Sequence, residues 1–240
     1  MRRQSSILAM AARGSLWRAV LALLVTGAAG AAVFAVQLHR QTVDAWTPAL
    51  EALLDGRLFR LTMTVGLLAV TAAACFSGGG RGSRPDYTAA RLPLPLWQIV
   101  AAYAVYGLLL YALVWAFQLG LVLGLCRLYD AWAGPEMQNG QTAFLAAYRS
   151  GVFHSLLPMA DGGRWLASAL LYGGLAISSA SAAVRSWSGK WPVGPLVVAA
   201  LTWFNAGGVG TLGWQLLLGA ASVIVAGTGL SRLREEVRPV

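Results

Sequence analysis

Residues that could bind a metal ion or carry out redox chemistry are few and widely spaced in this chain. Its 240 residues include two histidines, His39 and His154, and two cysteines, Cys75 and Cys126. They form no ligand pattern such as the helical His-Glu-x-x-His pair, and haem ligation would need paired histidines at membrane depth. Both cysteines lie in apolar runs, where a small buried residue is expected and a disulfide is not. The sequence therefore predicts neither a metal site nor a haem site.

Three serines in one apolar run are the nearest approach to a catalytic nucleophile. Ser178, Ser179 and Ser181 lie in a stretch that contains no histidine. A serine nucleophile needs a base within hydrogen-bond reach, so hydrogen bonds and close packing between helices explain these hydroxyls better. We assign no catalytic residue and expect that this chain is not an enzyme by itself.

Two glycine-containing segments resemble parts of a phosphate-binding loop, but both are incomplete. Residues 78–82 (Gly-Gly-Gly-Arg-Gly) are not followed by Gly-Lys-Ser/Thr and follow no predicted strand. Residues 188–191 (Ser-Gly-Lys-Trp) also lack most of the motif. We therefore expect no ATP binding and no cofactor in this chain. If its function is driven by ATP, another subunit must bind the ATP and Mg²⁺.

Composition indicates that a lipid bilayer surrounds most of the chain. Hydrophobic residues make up 58% of the sequence and charged residues 11%, whereas a soluble domain has about 25% charged residues. The net charge of +9 could by itself indicate binding to nucleic acid, because proteins that bind nucleic acids are often strongly basic. Here the basic residues are scattered between apolar runs and form no patch. We expect the bilayer as a partner and no binding of nucleic acid.

Apolar runs predict six membrane-spanning helices, because about 20 apolar residues cross the hydrocarbon layer. Pro93 and Pro95 cannot lie in a helix interior, so the third span starts near Leu96 or Trp97. The final uncharged run, 191–231, is too long for one crossing and contains an Asn-Ala-Gly-Gly-Val-Gly turn signal, so it is divided into two spans. The predicted spans are about 19–38, 61–78, 97–126, 165–184, 192–204 and 211–230.

This pattern predicts an all-α polytopic membrane protein, a six-helix transmembrane bundle with short interfacial helices. Residues 19–231 form the single transmembrane domain, 1–18 a cytoplasmic N-terminal interfacial segment, and 232–240 a cytoplasmic tail. With the N-terminus inside, twelve of the 18 Lys and Arg residues face the cytoplasm and six face outward. Because Lys and Arg favour the cytoplasmic side, we expect a multi-pass protein of the cell membrane with both termini cytoplasmic.

The segments outside the spans are predicted to contain further helices. Residues 4–14 are expected to form a short helix at the membrane surface, the alternative being a disordered leader. Thr47, Pro48 and Gly56 fit the N-cap, the first turn and the end of a short outer helix, which lines a portal or packs against the bundle. The external segment 128–163 is apolar enough in its second half to lie in the interface or re-enter the membrane. Its arginine and histidine residues argue against a full crossing.

The cytoplasmic loop before the third span carries the most specific motif of the chain. From Tyr87 to Val100 it reads Tyr-Thr-Ala-Ala-Arg-Leu-Pro-Leu-Pro-Leu-Trp-Gln-Ile-Val. Leu92-Pro93-Leu94 and the following Ile99-Val100 resemble the loop between spans two and three in permease subunits of ABC transporters of the type-2 exporter class. That family usually has a polar or basic residue after the second Leu, whereas this chain has Pro95. The predicted topology resembles that of the family over nearly the whole chain.

The resemblance implies a function and two protein partners. A separate ATP-binding cassette subunit would hydrolyse ATP, and a second permease subunit, identical or related, would face this one around a pathway. The alternative for the loop is a connector at the membrane surface. The element implied to couple to the ATPase consists of Tyr87, Arg91, Leu92, Pro93, Leu94, Pro95 and Leu96.

The absence of charged residues and histidines from the predicted spans bears on the cargo. Ion-coupled transporters need such groups, so the spans are better suited to exporting a peptide, lipid or other amphipathic compound. The alternative function is a stand-alone membrane immunity or assembly protein that needs no ATPase partner. Polar and amphipathic side chains within the spans are the candidate pathway groups, namely Trp115, Gln118, Trp203 and Asn205.

Overall fold

The computed structural model of the protein describes residues 2–43, 50–76, 95–132, 142–158, 161–186, 190–206 and 212–237, which contain helices and no strand. This confirms the predicted all-α class for that part of the chain. The helices are α1 (Arg2–Val43), α2 (Leu50–Leu54), α3 (Arg57–Cys75), α4 (Leu96–Trp132), α5 (Thr142–Arg149), α6 (Gly151–Leu156), α7 (Gly162–Ser186), α8 (Val193–Leu201), a 3₁₀ turn (Thr202–Ala206) and α9 (Leu212–Val237).

Five of the described helices are long and apolar enough to cross a membrane: α1, α3, α4, α7 and α9. This agrees with a multi-pass membrane protein. The predicted fifth span, 192–204, corresponds to a shorter apolar segment, in which α8 has nine residues and the 3₁₀ turn has five. Together they measure about 24 Å, less than the roughly 30 Å of a hydrocarbon core. The described helices therefore include five long ones and one short apolar segment, and this does not establish the predicted count of six spans.

Helix α1 is continuous over 42 residues, so residues 4–14 are not a separate surface helix. The predicted boundary at residue 18 is not a break in the helix, because arginine is a good helix former and no proline or charge cluster interrupts this segment. Ala11 and Ser15 are buried in the bundle. The Ser15 hydroxyl donates to the Ala11 carbonyl at 3.0 Å and lies 2.7 Å from the Tyr106 hydroxyl.

The predicted short helix after the first span is present as α2. Its residues Leu50, Leu53 and Leu54 are all buried, and they belong to the same apolar cluster as Phe34 and Leu38 of α1. The structure therefore favours packing against the bundle over lining a portal. The predicted cap residues at positions 47 and 48 lie outside the described residues.

The third span begins where the two prolines predict. Helix α4 starts at Leu96, directly after Pro95, whose carbonyl accepts a hydrogen bond from the Gln98 amide at 2.9 Å. The helix continues to Trp132, six residues beyond the predicted end, because Tyr129 still packs into the core. At 37 residues it is about 55 Å long and extends beyond the hydrocarbon layer at one end or both.

Residues 142–158 contain two short helices, α5 and α6, and neither is long enough to span a membrane. Asp55, which follows α2, holds the start of α6. Its carboxylate accepts hydrogen bonds from the Ser150 hydroxyl at 2.9 Å and from the amides of Gly151 at 3.1 Å and Val152 at 3.0 Å. This carboxylate caps α6 and fastens the segment to the turn between α2 and α3.

Helix α7 is the centre of the bundle and packs against α3, α4, α8 and α9. Glycines allow close approaches of its neighbours: a Cβ at Gly174 would come within 2.7 Å of the Ser222 carbonyl carbon, and one at Gly107 within 3.2 Å of the Ala176 backbone. Such contacts are typical of small residues at helix interfaces in membranes.

The serines of α7 play the packing and hydrogen-bonding roles predicted for them. The Tyr111 hydroxyl of α4 donates to Thr71 of α3 at 3.1 Å and lies 2.8 Å from the Ser179 hydroxyl, so this network joins three helices. The hydroxyls of Ser178 and Ser181 donate to carbonyls of their own helix.

Helices α1 and α4 run in one direction and α3, α7 and α9 in the other, so their termini form two ends of the bundle. At the N-terminal end, where α1 and α4 begin and α3, α7 and α9 end, the ring of Phe76 lies 6.1 Å from that of Trp191, just before α8. At the opposite end, where α3, α7 and α9 begin, the ring of Phe204 lies 6.0 Å from that of Trp214. The segment 191–204 therefore runs from one end towards the other.

Candidate functional site

A polar cavity of about 90 Å³ lies inside the bundle, towards the end where α3, α7 and α9 begin. It is the candidate site because hydrogen-bonding groups inside a membrane bundle are costly unless they have a partner or a function. Helices α3, α4, α6, α7 and α9 and the 3₁₀ turn all contribute to its wall. The described lining residues are Arg60, Met63, Thr64, Leu67, Gln118, Val152, Ser155, Leu156, Ala167, Ser168, Leu171, Tyr172, Thr202 and Gln215.

Arg60 is the only charged side chain among the described residues that line the cavity. Its guanidinium carbon lies 5.5 Å from the centre of the Trp203 ring. Its Nε is buried and has no hydrogen-bond partner in the part of the chain that the structure describes. The ion pairs found there, Arg149–Glu51 and Arg164–Asp161, do not involve Arg60.

Arg60 was predicted to lie in the external loop before the second span, but it lies within helix α3. Helix α3 begins at Arg57 instead of Leu61, so Arg60 lies in its first turn. It shares one helix face with Met63, Thr64 and Leu67, at spacings of three, four and seven residues. This spacing is visible in the sequence and could have indicated an inward-facing arginine.

Gln118, a predicted pathway residue, lies in the wall of the cavity. Its side chain is 8% exposed, and its amide donates a hydrogen bond to the Met63 carbonyl at 3.2 Å. This bond ties α4 to α3 beside Arg60. It occupies one of the two amide hydrogens and leaves the remaining hydrogen-bonding capacity of Gln118 for a ligand or water.

Six further polar side chains in the cavity wall were not identified from the sequence. The hydroxyls of Thr64, Ser155 and Thr202 donate to nearby backbone carbonyls. The structure records no hydrogen bond from the side chains of the other three, Ser168, Tyr172 and Gln215, to a residue that it describes. Gln215 is nevertheless 7% exposed. Hydroxyl and amide groups of this kind are usually satisfied when buried, so a bound molecule or water is expected to meet them.

The remaining predicted pathway residues lie beside the cavity or outside the described side chains. Trp203 covers the Arg60 guanidinium. The Trp115 indole donates to the Leu156 carbonyl at 2.8 Å, which holds α6 against the bundle next to the cavity. Asn205 is in the 3₁₀ turn, but its side chain lies outside the described residues. The structure thus places Gln118 in the cavity wall, Trp203 over Arg60 and Trp115 against Leu156, which also lines the cavity.

Of the predicted coupling element, only the last two residues, Pro95 and Leu96, are described, and they lie at the end of the bundle where α4 begins. Pro95 is exposed, and Leu96 opens α4. Leu96 and Trp97 line a groove of about 1270 Å³ with Ile177 of α7 and with Leu233 and Arg234 of α9. Tyr87, Arg91, Leu92, Pro93 and Leu94 lie outside the described residues.

The described residues contain no group of three or more His, Cys, Asp or Glu side chains that could hold a metal ion. The cavity around Arg60 combines one positive charge with neutral amides and hydroxyls, and no carboxylate lines its described wall. This set of side chains suits binding by charge and hydrogen bonds.

No protein-family model, curated protein or solved structure matches this chain.

Proposed function

We propose that this chain is the membrane-spanning permease subunit of an ATP-driven ABC transporter of the type-2 exporter class. A separate ATP-binding cassette subunit hydrolyses ATP with Mg²⁺, and a second permease subunit completes the pathway. The cargo is a peptide, lipid or other amphipathic compound. The observation that carries the proposal is the position of the Leu92-Pro93-Leu94-Pro95 motif. It directly precedes α4, a helix that begins at one end of the bundle and contributes Gln118 to the polar cavity towards the other.

The distribution of charge supports a cytoplasmic position for this motif. In the proposed topology, twelve of the 18 Lys and Arg residues belong to the segments on the cytoplasmic side. Lys and Arg are enriched on the cytoplasmic side of membrane proteins. The proposed arrangement therefore has both termini and the motif in the cytoplasm, and the cavity in the outer half of the cell membrane.

A short sixth crossing completes this topology. Trp191 packs on Phe76 at the N-terminal end, whereas Trp203 lies over Arg60 towards the opposite end. We assign the crossing to α8 and the 3₁₀ turn between these contacts. A segment of about 24 Å crosses the bilayer where flanking residues extend it or where the bilayer thins locally.

Helix α4 provides a mechanical link between the motif and the cavity. Gln118 lies 22 residues after Leu96, which is about 33 Å along a helix. Pro93 and Pro95 restrict the backbone just before the helix, so a push from the ATPase displaces α4 instead of being absorbed by a flexible loop. ATP binding then shifts the bundle between inward-open and outward-open states, because the ATPase binds one state more tightly.

Affinity purification with an ATPase assay tests the proposal. The tagged wild-type chain, isolated from its own cells, is expected to retain a partner with Mg²⁺-dependent ATPase activity. A triple variant, Arg91→Glu with Leu92→Asp and Leu94→Asp, should lose most of that activity, because it introduces charges into the docking surface. The matched control is Arg81→Glu, which reverses a charge in the same loop outside the motif and should retain the partner.

Two results contradict the proposal. If the wild-type chain brings down no ATPase, the stand-alone immunity or assembly role becomes the better account. If the triple variant retains as much ATPase as the wild type, the motif is a connector at the membrane surface and does not couple to a partner.

A further inference from the structure

We propose that the cavity around Arg60 is a binding site for a single anionic group, a carboxylate or phosphate carried by an amphiphile. As a statement about binding, this inference stands without the ATPase. As a statement about cargo it rests on the proposed function, for which it specifies an anionic amphiphile within the broader class of amphipathic compounds.

Arg60 carries a positive charge that the described residues around it do not balance. No acidic side chain lines the described part of the cavity, and no described carboxylate forms an ion pair with this guanidinium. The Trp203 ring offers a cation–π contact, which is worth about 0.5–2 kcal/mol and does not neutralise the charge. The buried Nε also has no acceptor among the described residues. An anion would supply both the missing charge and the missing acceptor.

Three helices around the cavity, α3, α7 and α9, run in the same direction. Arg60 is the fourth residue of α3 and Gln215 the fourth of α9, while Ser168 is in the second turn of α7. All three helices therefore point their N-terminal ends towards this part of the bundle. The positive ends of helix dipoles favour a negative charge near the first turn. They reinforce the preference that Arg60 sets.

Side chains in the cavity wall also supply hydrogen-bond donors. The side chains of Gln215, Ser168 and Tyr172 carry N–H or O–H groups that make no recorded hydrogen bond to a described residue. Gln118 keeps one amide hydrogen after its bond to Met63. Carboxylate and phosphate oxygens accept several hydrogen bonds at once, so they match a wall of neutral donors around one guanidinium.

The volume of the cavity limits the size of the group that can bind in it. A cavity of about 90 Å³ holds several water molecules or one small anionic group. It is too small for an acyl chain, so the apolar part of an amphiphile must remain outside. Arg60 is itself only partly buried, which leaves the cavity accessible to a headgroup. The site is thus expected to select the charged group of its ligand and not the tail.

The test measures binding to the purified full-length chain in neutral detergent by its tryptophan fluorescence, since Trp203 lies on Arg60. Four probes are titrated: dodecyl phosphate, dodecanoate, dodecyltrimethylammonium and inorganic phosphate. Dodecyl phosphate and dodecanoate are expected to bind at least tenfold more tightly than dodecyltrimethylammonium. Binding of inorganic phosphate with the same dependence on Arg60 would identify a free anion as sufficient, whereas its failure to bind would show that the anionic group must be part of an amphiphile.

Variants identify the site. Arg60→Gln should weaken dodecyl phosphate binding about tenfold or more. Arg57→Gln, which removes an exposed arginine one turn earlier on α3 and outside the described cavity wall, should change it less than twofold. Gln215→Leu is expected to weaken binding several-fold, and it tests the site independently if the Arg60 variant does not fold. Size-exclusion chromatography checks folding of each variant.

The inference is overturned if the cationic probe binds as tightly as the anionic ones, or if folded Arg60→Gln and Gln215→Leu both bind like the wild type. Neither result depends on an ATPase. Anion binding without a copurifying ATPase would refute the transporter and leave the site intact. A copurifying ATPase without Arg60-dependent binding would leave the transporter intact and remove the anionic ligand.

Discussion

The hydroxyl of Tyr111 is expected to stabilise the bundle, and its removal can be predicted quantitatively. Tyr111 is fully buried, donates to Thr71 at 3.1 Å and lies 2.8 Å from the Ser179 hydroxyl. Hydrogen bonds between membrane helices average about 0.6 kcal/mol and reach about 1.7 kcal/mol. Tyr111→Phe should therefore reduce the free energy of unfolding by about 1–3 kcal/mol.

Thermal unfolding of the purified protein in a mild detergent measures this loss. For a chain of this size, 1 kcal/mol corresponds to about 2–4 °C, so Tyr111→Phe should lower the midpoint by several degrees. Tyr148→Phe is the matched control, because that residue is 70% exposed and should shift the midpoint by less than about 1 °C. Both variants remove the same atom.

A double-mutant cycle separates the hydrogen bond from other effects of the substitution. Ser179→Ala removes the partner hydroxyl, and the two single variants should be non-additive by about 0.6 kcal/mol. If Tyr111→Phe unfolds at the wild-type temperature, or if the two substitutions are fully additive, the network does not hold α4 against α7 as described.

Two further substitutions test the packing around this core. Gly174→Leu should sharply reduce folded yield, because a side chain would meet the Ser222 backbone, whereas the neighbouring Gly173→Leu should be tolerated, because no atom lies within 4 Å of its added Cβ. Asp55→Ala should cost about 1–2 kcal/mol and expose α5 and α6 to limited proteolysis, since it removes three hydrogen bonds at the start of α6. Unchanged protease sensitivity would show that Asp55 does not fasten this segment.

Features that depend on local chemistry could be predicted from the sequence. Two prolines exclude a helix by their own geometry, so the start of α4 at Leu96 was predicted correctly. Apolar residues at helical spacing gave α2, whose leucines are buried. Gln118 was selected as a polar side chain within a predicted span, and it lies in the cavity wall.

Features that depend on neighbouring helices could not be predicted in this way. The prediction of a separate N-terminal surface helix was wrong. Ala11 and Ser15 are buried by tertiary contacts with the bundle, which the local sequence does not reveal. Arg60 was assigned to a loop because a charge usually marks the end of an apolar span, whereas here the helix begins one turn earlier. The short segment at 192–204 was predicted close to its observed position, but the change to 3₁₀ geometry at Thr202 has no clear sequence signal.

The central claim is that the proline-containing motif faces the cytoplasm while the opposite end of the bundle faces outward. Cysteine labelling tests it in a background that carries Cys75→Ala and Cys126→Ala. Arg91→Cys lies in the motif, and Arg149→Cys replaces a side chain that is 65% exposed on the α5 side. A membrane-impermeant maleimide added to intact cells should label position 149 at once and position 91 only after permeabilisation. Labelling of position 91 but not 149 in intact cells would contradict the topology and the ATPase docking inferred from it.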